Sequence, residues 1–168
     1  MAKILRNIDV ELTPGGIQFA IDEVKDFIEQ LQTSLSELAE ALTQAGQEAV
    51  KIQIASLDAV YTAELENSIQ GYYDADLHEG VIFTNVFHAL FVEYGTGVVG
   101  AGTYPTTTAD GWQYDINNHG NEGWVYRNDR DGHFYWTKGY PARPFMFNAF
   151  EWLKEAAPEM ASRLWTQM

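Results

Sequence analysis

The sequence predicts an α+β fold, an antiparallel sheet packed against a long N-terminal helix pair and a C-terminal helix. Three observations lead there. Apolar residues recur at helical spacing from Ile17 to Leu31, from Leu35 to Ile52 and from Phe147 to Leu164. Between the second and third of these runs lie short β-branched and aromatic segments bounded by turn residues. Strands gathered between helices, not alternating with them, favour antiparallel pairing over a doubly wound sheet. No internal repeat or long linker divides the 168 residues, so a single domain is expected over 1–168.

The elements follow in order. Ile4, Ile8, Val10 and Leu12 interleave with Arg6, Asp9 and Glu11, which reads as a strand or extended arm over residues 1–16, stopped by Pro14-Gly15-Gly16. Ile17, Ile21, Val24, Phe27, Ile28 and Leu31 then line a helix, with Asp22, Glu23 and Asp26 near its start where they favour the dipole. Thr33 and Ser34 can cap a second helix, and Glu37 stands three residues after Ser34, as in a capping box. Leu35, Leu38, Leu42, Ala45, Ala49 and Ile52 carry it towards Leu57, with Gly46 as a tolerated weak point.

Residues 68–73 and 80–85 read as a hairpin joined by the polar turn from Asp74 to Glu79. His88 to Tyr94 reads as a short helix, with a strand as the alternative. Residues 95–111 are rich in Gly and Thr and are expected to form a flexible loop. Three aromatic strands are expected around Trp112-Gln113-Tyr114, Trp124-Val125-Tyr126 and Phe134-Tyr135-Trp136, the last two separated by the Asp131-Gly132 turn signal. A final helix starts near Arg143, with Phe147, Phe150, Leu153, Ala157, Ala161 and Leu164 on one face. Pro158 should kink or restart it.

Composition narrows the function. A formal charge of −14 with only ten Lys and Arg argues against attraction to nucleic acid, which needs clustered cations. The acids are spread along the chain, four basic and ten acidic residues before position 60 and six and fourteen after it, so no acidic tail is set apart. No cysteine is present, which excludes disulfides, thiolate metal sites and Cys nucleophiles. The first residues lack the apolar run of a signal peptide, and a soluble, intracellular product is expected.

Local motifs for chemistry fail on context. Gly95-Thr96-Gly97-Val98-Val99-Gly100 matches a dinucleotide fingerprint, but Ala101-Gly102-Thr103-Tyr104-Pro105 follows it in place of a helix. Asp129-Arg130-Asp131-Gly132 has the look of a calcium loop, yet its first ligand position would be Arg127 and its last Lys138, both cations. His78, His88, His119 and His133 are too widely spaced for ligands one helical turn apart, and Ser34, Ser36, Ser56, Ser68 and Ser162 sit in no nucleophile elbow. A hydrolase with two dispersed carboxylates is a third, weaker reading of so acidic a chain.

The most specific signal is a pair of segments about fifty residues apart, His88-Ala89-Leu90-Phe91-Val92-Glu93-Tyr94-Gly95-Thr96-Gly97 and Pro141-Ala142-Arg143-Pro144-Phe145-Met146-Phe147-Asn148-Ala149-Phe150. An Ala-x-x-x-Glu-Tyr/Phe-Gly-Thr turn followed by an Ala-Arg-Pro-Phe-Met segment opening a C-terminal helix resembles the neck and tail-completion (minor tail component) proteins of long-tailed, lambda-like bacteriophages. The resemblance covers roughly residues 60–155. It implies a structural virion protein at the head–tail junction, made in the host bacterial cytoplasm, with no catalytic residue, cofactor or metal. It also implies a ring of sister copies, hexamer first and dodecamer second, joining the head connector on the portal side to the tail tube. Genome DNA would pass through the lumen without specific binding.

The motif residues have a physical rationale of their own. Gly95 after Glu93 and Tyr94 can take positive φ and let the chain reverse at Thr96. Arg143 is placed to pair with a carboxylate, and Glu93 is the expected partner. Pro144 suits the first turn of the last helix, and Phe145 and Met146 supply its first apolar contacts. A rival from another class is an aromatic-rich binding module for carbohydrate or peptide, presented by Trp112, Tyr114, Trp124, Tyr126, Tyr135 and Trp136.

Overall fold

The computed structural model describes residues 8–57, 63–128 and 131–165. Helix and antiparallel sheet are mixed, as expected. The order is α1 (Pro14–Ser56), α2 (Ala63–Asn67), β1 (Gln70–Asp74), β2 (Glu79–Phe83), α3 (Ala89–Tyr94), α4 (Gly97–Gly100), β3 (Trp124–Arg127), β4 (Phe134–Thr137), β5 (Gly139–Tyr140) and α5 (Phe145–Trp165), with a 3-10 turn at Gly120–Glu122. Among the described residues there are, in place of one sheet, two two-stranded ones, β1 with β2 and β3 with β4. No helix is long and apolar enough to cross a membrane among the described residues.

The expected N-terminal helix pair is a single helix of 43 residues. Thr13 caps it: its Oγ1 accepts from Gly16 N at 3.1 Å and its carbonyl accepts from Ile17 N at 2.9 Å. Pro14 therefore opens the helix where it was expected to close the arm, because a first-turn residue has no use for an amide proton. Residues 8–13 form no strand, and the arm's residues 1–7 lie outside the described residues. Nothing stops α1 at Thr33-Ser34 either. Thr33 Oγ1 donates to Glu29 O at 3.0 Å within the helix, and Ser34 is buried. Cap-forming residues end a helix only when the backbone leaves helical geometry, and no Gly or Pro lies between Gly16 and Gly46 to make it do so. Thr13→Ala should destabilise the protein by about 1 kcal/mol, read from the chemical-denaturation midpoint.

Two compact units make up the chain. The first takes Met1–Gly46, Gly71–Ile82 and Leu153–Met168. Here β2 approaches α1 through glycine: a Cβ on Gly80 would collide with Thr43 Oγ1, and one on Gly46 would meet Leu153 Cδ2 at 3.2 Å and collide with the Ile82 side chain. Tyr73 donates to Ser36 Oγ at 3.2 Å, and Asp74 Oδ1 closes the β1–β2 turn by accepting from Asp76 N and Leu77 N at 2.9 and 3.0 Å. α5 continues through Pro158 without restarting.

The second unit takes Gln47–Gln70 and Phe83–Trp152. Every fully buried apolar residue among those described belongs to it: Ala49, Val50, Ile54, Leu65, Ile69, Ala89, Phe145 and Ala149. Side chains bind its segments together, Gln47 Nε2 to Ile69 O at 2.9 Å and Ser68 with Thr84 at 2.6 Å.

Two of the three aromatic strands form. β3 and β4 pair antiparallel, Trp124 opposite Thr137 and Val125 opposite Trp136, while Trp112 and Tyr114 lie outside any strand. Trp112 packs against Phe91 and Tyr94 at ring separations of 5.4 and 5.1 Å. These ring contacts outweigh the local strand preference of the segment. Segment 95–111, expected as a loop, carries α4, and isolated bridges join Thr96 to Tyr140 and Gly97 to Gly139.

Candidate functional site

The two motif segments meet in the second unit. α3 delivers Glu93 to the start of α5, and the chain between them supplies the lining.

Glu93 is 5% exposed. Its Oε2 accepts from Met146 N at 2.9 Å, and its Oε1 accepts from Phe147 N at 3.0 Å and from the Tyr104 hydroxyl at 3.2 Å. The carboxylate thus caps α5 from 53 residues away, satisfying amides that have no partner inside their own helix and meeting the positive end of its dipole. Burial raises the Glu93 carboxyl above the usual carboxylate range, and the amides of Met146 and Phe147 with the Tyr104 hydroxyl pull in the opposite direction. Burial also raises Tyr104, and the neighbouring Glu93 charge adds to it.

The Arg143 guanidinium, the partner expected for Glu93, is not among the groups that hold this carboxylate. Glu93 is held by backbone amides and a phenol, and Arg143 enters the joint through its own amide, which donates to Val92 O at 2.8 Å. Pro144 accepts from Asn148 N at 2.9 Å as α5 begins, and Phe145, 1% exposed, is the first residue of that helix to enter the core. Met146 contributes its amide to Glu93.

Tyr94, Gly95 and Thr96 form the other wall. Tyr94 packs edge-on against Tyr104 at 4.8 Å. Gly95 has φ 81°, and a Cβ there would lie 2.7 Å from Ala142 N and 2.8 Å from Tyr140 O, so the two motifs approach backbone to backbone. Thr96 Oγ1 accepts from Tyr140 N at 3.2 Å. All eight motif residues lie at this joint.

Four contributors escape sequence reading. Thr103 accepts from Ala142 N at 2.8 Å and donates to Gly100 O at 2.7 Å, and Tyr104 reaches Glu93. Gly97 and Gly139 allow the bridge between α4 and β5, since a Cβ on either would strike the other strand's backbone. The Gly-Tyr-Pro run at 139–141 was the available signal, because glycine before a proline-flanked turn marks unusual backbone.

A second polar cluster surrounds Asp115. Its Oδ1 lies 2.9 Å from His119 Nδ1 and its Oδ2 accepts from Gly120 N at 2.7 Å, while the His119 ring stacks on Trp124 at 4.6 Å. The amides of His119 and Gly120 hold Asp115 below the usual carboxylate range. This locks a turn. A cavity of about 600 Å³ lies along α1, lined by Asp26, Glu29, Gln30, Thr33, Ser34 and Glu37, remote in sequence from both motifs. Among the described residues no three His, Asp or Glu side chains are grouped to hold a metal ion.

The arrangement at Glu93 is a helix cap supplied by a distant side chain. Every oxygen of the carboxylate has a donor, and those donors are backbone amides and a phenol, so the group fixes the helix start. No family model, curated protein or solved structure matches the chain.

Proposed function

We propose that the protein is a structural component of a phage head–tail junction, a neck or tail-completion subunit that works by shape and by contact with sister copies. One observation carries the reading. The two segments that resemble that family fold into a single joint whose polar groups are consumed in holding α3, α4 and α5 together. Such use of a buried carboxylate suits a part that transmits load.

The subunits would form a closed ring, hexameric or dodecameric, between the portal-side head connector and the tail tube, built on heterologous contacts. With a charge of −14, a lumen lined by Asp and Glu would repel phosphate and let the genome slide. The aromatic binding module has weaker support. Trp112 and Tyr114 lie outside the strands and pack on each other, Trp112 also on Phe91, and the Trp136 indole is engaged, its Nε1 donating to Glu122 O at 3.0 Å.

Electron microscopy of the purified chain, alone and on capsids that lack tails, tests this. A closed ring at the portal vertex is the expected image. Open filaments, or a chain that never associates with capsids or tails, would overturn the reading.

A further inference from the structure

We infer that α1 is one strand of a parallel coiled coil, and that its first three heptads dock on the same segment of neighbouring copies of this chain. The merging of the two expected helices into one reveals a pattern that neither half shows alone. Ile17, Ile21, Val24, Ile28, Leu31, Leu35, Leu38, Leu42, Ala45, Ala49 and Ile52 recur in strictly alternating steps of four and three. A period of 3.5, held over about five heptads, calls for a supercoiled helical partner, whereas packing on a single globular core needs only the looser helical period. With Ile21 and Ile28 at the a positions, Ile17, Val24 and Leu31 occupy d.

The seam divides in the molecule. Leu38, Leu42 and Ala45 are half-buried and Ala49 is buried by the chain itself, before Ile52 at the far end turns outward again, 63% exposed, but Ile17, Ile21, Val24, Ile28 and Leu35 remain between 44% and 48% exposed. They belong to the first unit, which contains no fully buried apolar residue among those described. A regular apolar seam left half-exposed, on a unit whose apolar side chains are at most half-buried among those described, is one that a partner completes.

Charge identifies that partner as a like-charged helix. The chain carries 24 acids, so self-association requires a contact line free of them. Asp22, Glu23, Asp26, Glu29, Glu37 and Glu40 all fall at b, c and f positions, away from the seam. The flanking e positions hold Gln18, Lys25 and Gln32, and the g positions hold Ala20, Phe27 and Ser34, with no carboxylate among them. Parallel pairing sets e beside g of the neighbour, which keeps Lys25 apart from its own copy. Ile17, Ile21, Val24 and Ile28, β-branched at both a and d, favour more than two strands at the start of the seam, before Leu31 and Leu38 take the next d positions. The inference stands independently of the virion reading.

The test uses the full chain. Sedimentation equilibrium of the wild type should show reversible assembly beyond a dimer, and Ile28→Asp should move the assembly midpoint to at least about tenfold higher concentration. Because Ile28 is half-exposed, circular dichroism and the melting temperature of the dilute variant should match the wild type. As the chain has no cysteine, single variants report geometry directly: Ile21→Cys should oxidise to intersubunit disulfides, and Asp26→Cys, at an f position, should not. A wild type that stays monomeric up to its solubility limit, unchanged assembly in Ile28→Asp, or equal cross-linking at both cysteine positions would overturn the inference. Rings that survive Ile28→Asp would reject this seam and leave the virion reading standing, whereas α1-dependent oligomers that never bind capsids would do the reverse.

Discussion

Glu93→Ala should lower the stability of the protein by about 3 kcal/mol, or roughly 6–12 °C in melting temperature. The loss has a local cause. Removing the carboxylate strands the amides of Met146 and Phe147 and the Tyr104 hydroxyl at a site only 5% exposed, and a buried donor without an acceptor costs more than a hydrogen bond contributes. Glu93→Gln should be milder, since one oxygen survives, but its NH₂ then faces an N–H donor. An unchanged melt in Glu93→Ala would show that the cap carries no free energy.

The same residue sets a pH signature. Burial raises the Glu93 carboxyl in the folded state above its unfolded value of 4.5, so the folded protein binds that proton more tightly. The contribution is therefore fully present below pH 4.5 and is lost as pH rises through the folded pKa. Asp115 and Asp131 behave oppositely, being lowered, and their contribution is lost as pH falls below 3.8 towards their folded values. Above pH 4.5 the Glu93 effect is isolated. The stability advantage of wild type over Glu93→Gln, measured by urea titration across that range, should shrink with rising pH. A flat difference would contradict it.

Gly139→Ala should cost about 3–5 kcal/mol, the largest effect expected of a single methyl group in this chain. Gly139 has φ 105°, and a Cβ there would strike the Thr96 carbonyl oxygen and lie 2.9 Å from Gly97 Cα. Relief requires breaking the bridges between Thr96 and Tyr140 and between Gly97 and Gly139, and with them the Val99 N to Lys138 O bond of 3.3 Å. Gly102→Ala is the control, because Gly102 has φ 76° with nothing within 4 Å and should cost only about 1 kcal/mol. The difference between the two variants measures the clash, and equal losses would remove it. In Gly139→Ala, hydrogen exchange at Val99 and Tyr140 should accelerate before the rest of the chain responds.

What was legible in the sequence was whatever apolar periodicity encodes. The β1–β2 hairpin, α3, the β3–β4 pair and α5 appear close to their expected positions because alternation and helical spacing are local properties. Misreadings cluster where a local signal has two meanings. Pro14 serves equally as a breaker or as a first helical residue, and Thr33-Ser34 caps only if the chain bends. The joint was half legible. Both motifs were marked, but a carboxylate invites a cationic partner on paper, whereas the donors that hold Glu93 are backbone amides, which every sequence contains and none displays. Thr96 meeting Tyr140 across 44 residues left no trace in either segment alone.

The placement in one unit of all the deeply buried apolar residues among those described has a thermodynamic corollary. Denaturation of dilute, dissociated chains should proceed in two stages, the segment carrying Ile17 to Leu38 loosening early while the surroundings of Ile54, Leu65 and Phe145 hold. Calorimetric and van't Hoff enthalpies would then disagree at low concentration and converge as concentration rises. Cooperativity, in that sense, would belong to the assembly and not to the individual polypeptide.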